Sequence, residues 1–495
     1  MSSISKNIVV VFMAELIPSI LSFVFIIFVS NFTGPEIVGI MGFIITFSAL
    51  LVNISSIEIH IGMKRHLGKS VSEKNWPDFK QVSSTSFLFT MLTSIVTLII
   101  FLNPFVFNLY SFDIDYVFVG IISLLVIGSN LHRIFIGIFT SALKSSPLLL
   151  SSLFSSILRF IPIALFIYLN ELNAFNVSWS YSIFYVGIIA SLLLFSRDFF
   201  KQIKGKSIGN VIFNTKLILK ASVPRWISGI VGTLGAKLNL LVIFSIHGAS
   251  ESGLFFIPWS ILGVLIMLLS SITQIVHPVF SGIKESEQTI LLKRVTKFGY
   301  LTTIPITVIV YFYSGTVLTI FSSDFVVANE ILSILLISFP LLVLNDIVYY
   351  LFYARGKYNY IFYIGIAATI PRVILYYLLV PEFGNIGAAW AFTTGTFIQT
   401  AMTLVLIKKS KIKLQYLDYL WLTLIPFVIG FAISQTTLGI LGSILIFIFS
   451  YVLFLKLKLL SDDDMDVFLQ LFSSHEQSLE RKKKIVKILK QYKIY

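Results

Sequence analysis

ALKSSPLLLSSLFSSILRFIPIALFIYLNEL, residues 142–172, holds the features that decide the fold. Between Lys144 and Glu171 runs an apolar stretch, 148–170, long enough to cross the hydrocarbon core of a bilayer. The flank on one side is basic and the flank on the other is acidic. Arg159 lies about a dozen residues into the stretch, which at ~1.5 Å per residue puts it near the middle of the span. Arginine at that depth costs roughly 2.5–3.5 kcal/mol on insertion scales, so a chain that keeps one there is using it.

Outward from this segment the pattern recurs along the whole sequence. The spacing predicts spans at 8–31, 37–60, 83–104, 116–139, 148–170, 179–197, 218–246, 253–280, 295–314, 331–353, 359–380, 385–407, 417–435 and 438–458. A chain of 495 residues that is 57 % hydrophobic and only 12 % charged, with a mean hydropathy of +0.93, has a membrane rather than a cytosolic composition. The longest piece outside the spans is 461–495, too short for a soluble catalytic domain. The first apolar run, MSSISKNIVVVFMAELIPSILSFVFIIFVS, lacks an A-x-A-like cleavage site and reads as a retained span. With no cysteine, disulfides, thiolate chemistry and Cys-ligated metals are excluded, and the six histidines show no H-x-x-x-H spacing that would favour a metal.

The net charge of +14 is sorted by side. Connectors that follow odd-numbered spans contain no Lys or Arg and carry Glu36, Asp113, Asp115, Glu171, Glu251, Asp324, Glu330 and Glu382. Those that follow even-numbered spans hold Lys64, Arg65, Lys69, Lys74 and Lys80, then Lys201, Lys204, Lys206 and Lys216, and so on to Lys408, Lys409, Lys411 and Lys413. Under the positive-inside rule this alternation puts both termini in the cytoplasm. The basic charge faces the cytoplasmic membrane surface and does not call for nucleic acid. The tail ending RKKKIVKILKQYKIY reads as a basic amphipathic helix at anionic headgroups, with Ser461 as N-cap and Asp462, Asp463 and Asp464 in its first turn.

Two halves of the sequence resemble each other at an offset of about 213 residues. NFTGPEIVGIMGFIITF (31–47) matches SIHGASESGLFFIPWSI (245–261), with Gly34 and Gly39 against Gly248 and Gly253. HRIFIGIFTSALKSS (132–146) matches NDIVYYLFYARGKYN (345–359), and that register pairs Lys144 with Lys357 and Arg159 with Arg372. The offset is six spans, an even number, so the halves share one orientation and relate by an axis along the membrane normal. The expected fold is therefore all-α and integral to the membrane, with 14 transmembrane helices. Residues 1–217 and 218–410 form two pseudo-symmetric six-helix lobes, 411–460 adds two further spans, and 461–495 is the cytoplasmic tail. In such repeats the transport site lies between the halves near the midplane.

Arg159, Arg372 and Lys237 lie deep in spans, and Arg225 lies a turn or two from the cytoplasmic face. Several cations with few carboxylates suit phosphate or pyrophosphate, which arginine binds bidentately. These four are the candidate substrate-binding residues, and their sign predicts an anionic cargo. Glu15, followed by the helix-loosening Pro18, is a protonatable carboxylate suited to coupling with H+ or Na+. Arg133 and its repeat-equivalent Asp346 are candidates for a cytoplasmic gate. Glu58, His60, His132 and His277 fall toward cytoplasmic span ends, where local hydrogen bonding is expected. Neither Gly68-Lys69-Ser70 nor Gly205-Lys206-Ser207 has the earlier glycine that a phosphate-cradling loop requires, so no nucleotide is expected to be hydrolysed. No cofactor is called for.

LLVPEFGNIGAAWAFTTGTFIQTAMTLVLIKK (378–409), with its Pro381, Gly384, Gly387, Ala388 and Ala389, resembles a C-lobe segment of polysaccharide-transporter flippases, in which one span ends in a Pro-x-x-Gly turn and the next restarts on Gly-Ala-Ala. ALKSSP and ARGKYN resemble the short cytoplasmic turns of that family. The layout is similar to the O-unit flippase branch of the multidrug/oligosaccharidyl-lipid/polysaccharide (MOP) superfamily. The resemblance implies an alternating-access flippase in the cell membrane. Its cargo would be a polyprenyl-phosphate- or polyprenyl-diphosphate-linked oligosaccharide, with membrane lipids as partners and a cationic cavity onto which Arg159, Arg225, Lys237 and Arg372 map by position. The alternatives are a lipid-linked peptidoglycan-precursor flippase, a multidrug exporter, which would typically have twelve spans, and more remotely a multispan glycosyltransferase or polymerase. The last class generally presents a large outer loop, whereas the longest outer connector here is 315–330.

Overall fold

The computed structural model describes residues 3–103, 116–197, 201, 211–436 and 438–459. The connector 105–115, Lys204, the Gly205-Lys206-Ser207 triplet, the tail with its Ser461 cap and the side chain of His277 lie outside the described residues. Among the described residues there is no strand. The helices are α1 (Ser3–Phe32), α2 (Pro35–Ser56), α3 (Ile59–Ser72), α4 (Trp76–Phe101), α5 (Tyr116–Ser141), α6 (Ser146–Leu158), α7 (Phe160–Tyr168) and α8 (Ala174–Phe195), then α9 (Val211–Gly282), α10 (Glu285–Phe312), α11 (Ser314–Thr319), α12 (Asn329–Ile337), α13 (Phe339–Ala354), α14 (Tyr358–Lys409), α15 (Tyr416–Ser434) and α16 (Gly439–Lys456). Ten helices among the described residues are long and apolar enough to cross a membrane, or eleven when the pair around Ser338, bent by 41°, counts as one span. The chain is a multi-pass membrane protein.

Local chemistry sets the ends and breaks. Pro35 opens α2, where a missing N–H is harmless. Asn75 and Asn173 cap α4 and α8 by accepting hydrogen bonds from the Asp78 and Asn176 amides. The two longest runs are each broken once, α9 at Gly248 (φ 83°) and α14 at Gly384 (φ 53°). Both breaks fall inside connectors expected from the sequence, 247–252 and 381–384, and both need a residue that accepts positive φ. The segment 61–82, expected as a connector, is largely helical. Its charges, Lys64 and Lys69 among them, share α3 with the buried Met63 and Leu67, which pack with Phe79, Ile134 and Phe139. A charged segment with one apolar face folds as readily as a fully apolar one.

The described residues form two compact units. The first draws on Met1–Ser260, Ile320–Ala328 and Ala368–Phe392, and the second on Ile261–Thr319, Asn329–Ala367 and Thr393–Tyr495. In the first, a core of Phe43, Phe47, Leu51, Ile122, Val126, Leu241 and Phe244 joins α2, α5 and α9, with the Phe43 and Phe244 rings 4.3 Å apart. Lipid tails are as apolar as these side chains, so close approach at small residues drives helix association. Gly39 and Gly253 supply it: a Cβ on Gly39 would lie 1.8 Å from the Ala249 carbonyl oxygen, and one on Gly253 would lie 1.8 Å from that of Pro35. In the second unit α10 is the central element. Tyr300 stacks on Tyr419 of α15 at 5.3 Å and donates to the Pro340 carbonyl at 2.7 Å, while Tyr451 of α16 donates to the Leu301 carbonyl at 2.8 Å.

Candidate functional site

The first unit encloses a cavity of about 510 Å³ lined from α1, α3, α5, α8, the α6–α7 junction and the start of the apolar part of α9. One edge of it is marked by a backbone feature. Ile57 (φ 42°) and Glu58 (φ 51°) both take the left-handed conformation between α2 and α3, which a β-branched residue adopts only under strain. The reversal turns Glu58 inward.

There the Glu58 carboxylate gathers the basic groups. Oε1 lies 3.9 Å from Arg133 Nη1, and Oε2 lies 3.8 Å from Arg225 Nε and 3.9 Å from His60 Nε2. These separations are charge contacts, longer than hydrogen bonds. The Glu58 side chain is 14 % exposed, those of Arg133 and Arg225 30 % and 43 %. Lys64 lines the same cavity, where burial pulls its ammonium below the ordinary lysine range and the Glu15 carboxylate works in the opposite direction. Glu15 itself opens onto the cavity one turn before Pro18.

Arg159 reaches the cavity differently. It occupies the junction of α6 and α7 and is 1 % exposed. Nη1 donates to Ser22 Oγ at 2.8 Å, Nη2 to the Pro18 carbonyl at 3.2 Å and Nε to the Ser156 carbonyl at 3.3 Å. The rings of Phe25, Tyr181 and Phe184 surround its guanidinium at 5.4–5.7 Å. This arginine ties α6 to α1 while presenting its charge at the wall.

Of the residues singled out from the sequence, Glu15, Arg133, Arg159 and Arg225 are brought together here. Arg372 and Lys237 belong to the same unit but do not line this cavity. Arg372 lies over the Phe392 ring at 4.2 Å, and its face of α14 carries Thr369 and Tyr376, which donate to the Val231 and Gly235 carbonyls of α9 at 2.8 and 3.0 Å. Lys237 is half-buried two residues beyond Gly235. Asp346 belongs to the second unit. The carboxylate partner of Arg133 within its own unit is Glu58. Glu58, His60, Lys64 and His132 also line the cavity, a role their positions near span ends did not announce. Among the described residues no group of three or more His, Cys, Asp or Glu side chains is arranged to hold a metal ion.

Comparison with known proteins supplies the family. Residues 4–284 match the family of polysaccharide biosynthesis proteins. The capsular polysaccharide biosynthesis protein CapF of Staphylococcus aureus is 23 % identical over 402 residues, which span 79 % of this chain and 96 % of that protein. Among solved structures, the lipid II flippase MurJ in an inward closed conformation superposes with a TM-score of 0.71 at 18 % identity, covering 91 % of this chain and all of the other. An inward-facing multidrug resistance MATE family transporter of the MOP superfamily superposes at 0.65 and 14 % identity, covering 82 % of this chain and 98 % of the other. These likenesses give an all-helical membrane fold, the class that the apolar pattern anticipated. With the family match extending over more than half of its length, the chain belongs to the polysaccharide biosynthesis protein family.

Proposed function

We propose that this protein is a flippase that carries polyprenyl-phosphate- or polyprenyl-diphosphate-linked oligosaccharide from the cytoplasmic to the outer leaflet by alternating access. The observation that carries the reading is the composition of the cavity: Lys64, Arg133, Arg159 and Arg225 against the two carboxylates Glu15 and Glu58. An excess of cations at membrane depth attracts a phosphate or diphosphate, and a transporter for drug cations would need the opposite balance. Membership in a polysaccharide biosynthesis family supports a saccharide cargo, and the MurJ-like fold supports a lipid-linked one. The structures that share the fold are flippases and transporters, and the chain is not an enzyme.

In this reading the fourteen-span layout with cytoplasmic termini and lobes at 1–217 and 218–410 holds. Counting the halves of α9 and α14 separately, and including the Ser338 pair and the shorter apolar helix Leu441–Lys456, supports that number. Arg133, Arg159 and Arg225 meet the cargo in the present conformation, whereas Arg372 and Lys237 meet it in another state of the cycle. Glu15 is the coupling carboxylate for H+ or Na+, and Arg133 and Asp346 are each gate residues of their own unit. A lipid-linked peptidoglycan precursor is the second reading, favoured by the MurJ-like fold.

The test is leaflet translocation of a polyprenyl-diphosphate oligosaccharide in proteoliposomes, comparing wild type with a double variant carrying Arg133→Ala and Arg225→Ala. Flipping by wild type that collapses in a folded double variant is the expected result. Flipping that survives in the variant removes the cationic cavity from the mechanism, and a wild type inert toward several lipid-linked saccharides overturns the cargo.

A further inference from the structure

Beside the cationic cavity, α2, α5 and α8 enclose a second chamber of about 230 Å³. Each helix turns a single face to it. Ser48, Ala49 and Val52 of α2 follow the i, i+1, i+4 spacing of one helical stripe, Ser129 and Arg133 of α5 are four apart, and so are Tyr181 and Tyr185 of α8. The last four residues also line the larger cavity, so they form the boundary between the two spaces. Arg133 therefore offers its charge at the junction, while among the described residues the chamber behind it has no other ionisable group except the tyrosine hydroxyls.

The interior is neutral, partly apolar and set with hydroxyls. Ser48 is 3 % exposed, and its Oγ has no hydrogen-bond partner among the described residues. A buried hydroxyl left in that state is penalised for its lost water, and a ligand hydroxyl can relieve the penalty. Ser129 Oγ donates to the Tyr185 hydroxyl at 2.9 Å, which leaves the tyrosine proton available to a ligand. Gly128 lets that ring sit close: a Cβ there would lie 2.5 Å from Tyr185 Cβ. Small side chains at 48 and 49 keep the space open. Its volume falls below the roughly 300–1,000 Å³ of sites for drug-sized ligands, so it suits one ring rather than a chain of them.

A neutral compartment with hydroxyls and aromatic faces, joined through one arginine to a phosphate-binding cavity, fits one kind of group. We infer that this chamber receives the pyranose attached directly to the lipid phosphate, with Tyr181 and Tyr185 as its platform and Ser48 as a hydrogen-bonding partner. The inference rests on the flippase reading above and deepens it, because it makes the first sugar a determinant of recognition.

The experiment compares binding of two probes to the purified full chain in nanodiscs: a short-chain polyprenyl diphosphate, bare or carrying a single hexose or N-acetylhexosamine. Wild type is expected to prefer at least one glycosylated probe. Ser48→Leu, which fills the chamber, should abolish that preference while leaving the bare diphosphate bound as before. Ser48→Ala, which keeps the volume and removes the hydroxyl, should weaken the preferred probe roughly tenfold, as loss of one or two neutral hydrogen bonds would. Retention of the preference in both variants overturns the chamber as the sugar site and leaves the flippase reading intact. Equal binding of bare and glycosylated probes by wild type also overturns it. If wild type binds none of the probes, the flippase reading falls and this inference falls with it.

Discussion

Glu58 Oε1 and Arg133 Nη1 stand 3.9 Å apart, and the other oxygen of the same carboxylate lies 3.8 Å from Arg225 Nε. One carboxylate thus sits between two arginines at a separation a phosphate oxygen would shorten to a hydrogen bond. On the proposed flippase reading, Glu58 stands where a phosphate of the cargo would bind and competes with it for both guanidinium groups.

Glu58→Gln removes that competitor without changing its shape. Partly exposed ion pairs of this kind are worth about 0.2–1 kcal/mol each, so inorganic pyrophosphate should bind the variant a few-fold more tightly than wild type. Translocation should slow, because release now lacks the carboxylate that reclaims the arginines. Pyrophosphate affinity by calorimetry, beside a leaflet assay, separates the two effects. Unchanged affinity would show that the carboxylate does not contend with the ligand. The gain should also shrink as salt is raised, since screening weakens exposed charges first.

Arg159 and Arg225 line the same cavity and should fail differently. Arg159 is buried and donates to Ser22 and to the Pro18 and Ser156 carbonyls, whereas the side chain of Arg225 is 43 % exposed. Charge-assisted bonds contribute roughly 1.5–3 kcal/mol each, with incomplete additivity. Arg159→Ala should lower the melting temperature in detergent by several degrees, while Arg225→Ala should leave it nearly unchanged and weaken pyrophosphate binding. Equal melting temperatures for the two variants would contradict the structural role given to Arg159.

Asn130 bridges three helices of the first unit. Its Nδ2 donates to Ser55 Oγ of α2 at 2.8 Å and to Ser94 Oγ of α4 at 2.9 Å. Interhelical hydrogen bonds inside membrane proteins average about 0.6 kcal/mol and reach 1–2 kcal/mol. Asn130→Ala should therefore destabilise by about 1–2 kcal/mol in reversible unfolding and leave pyrophosphate binding intact, because the residue does not line the cavity.

Much of this was legible in the sequence because bilayer solvation acts on local composition. Apolar length marked the helices and set connectors at 247–252 and 381–384, inside which the breaks at Gly248 and Gly384 fall, and the cost of burying a guanidinium singled out Arg159. The hub at Glu58 was not legible. Its position near a span end says nothing of the two left-handed residues that turn it inward, and no spacing rule links it to Arg133 and Arg225, which come from distant helices. Lys64 was read as a marker of the cytoplasmic face, and only the packing of α3 brings it to the cavity. Ser48 is one of many serines in apolar surroundings, and that its hydroxyl finds no partner among the described residues emerges only once α2, α5 and α8 are assembled.

The matched glycines of the internal repeat allow one more test. Gly39 and Gly253, which correspond at the repeat offset, pack reciprocally: each would drive a Cβ to 1.8 Å from a carbonyl oxygen of the opposite helix. Overpacking normally costs 1–3 kcal/mol, and more where rigid backbone is the obstacle. Gly248, the third glycine of the pattern, has open space around its Cβ position and differs only in its φ of 83°. With ψ at −170° this is a conformation that essentially only glycine adopts, so alanine there should cost about 1–3 kcal/mol without any clash. Gly39→Ala and Gly253→Ala, which meet backbone at 1.8 Å, should therefore abolish the monodisperse peak on size exclusion, while Gly248→Ala should keep it with a melting temperature lowered by several degrees. The reverse order would mean that the break in α9, rather than the close approach of α2 and α9, limits folding.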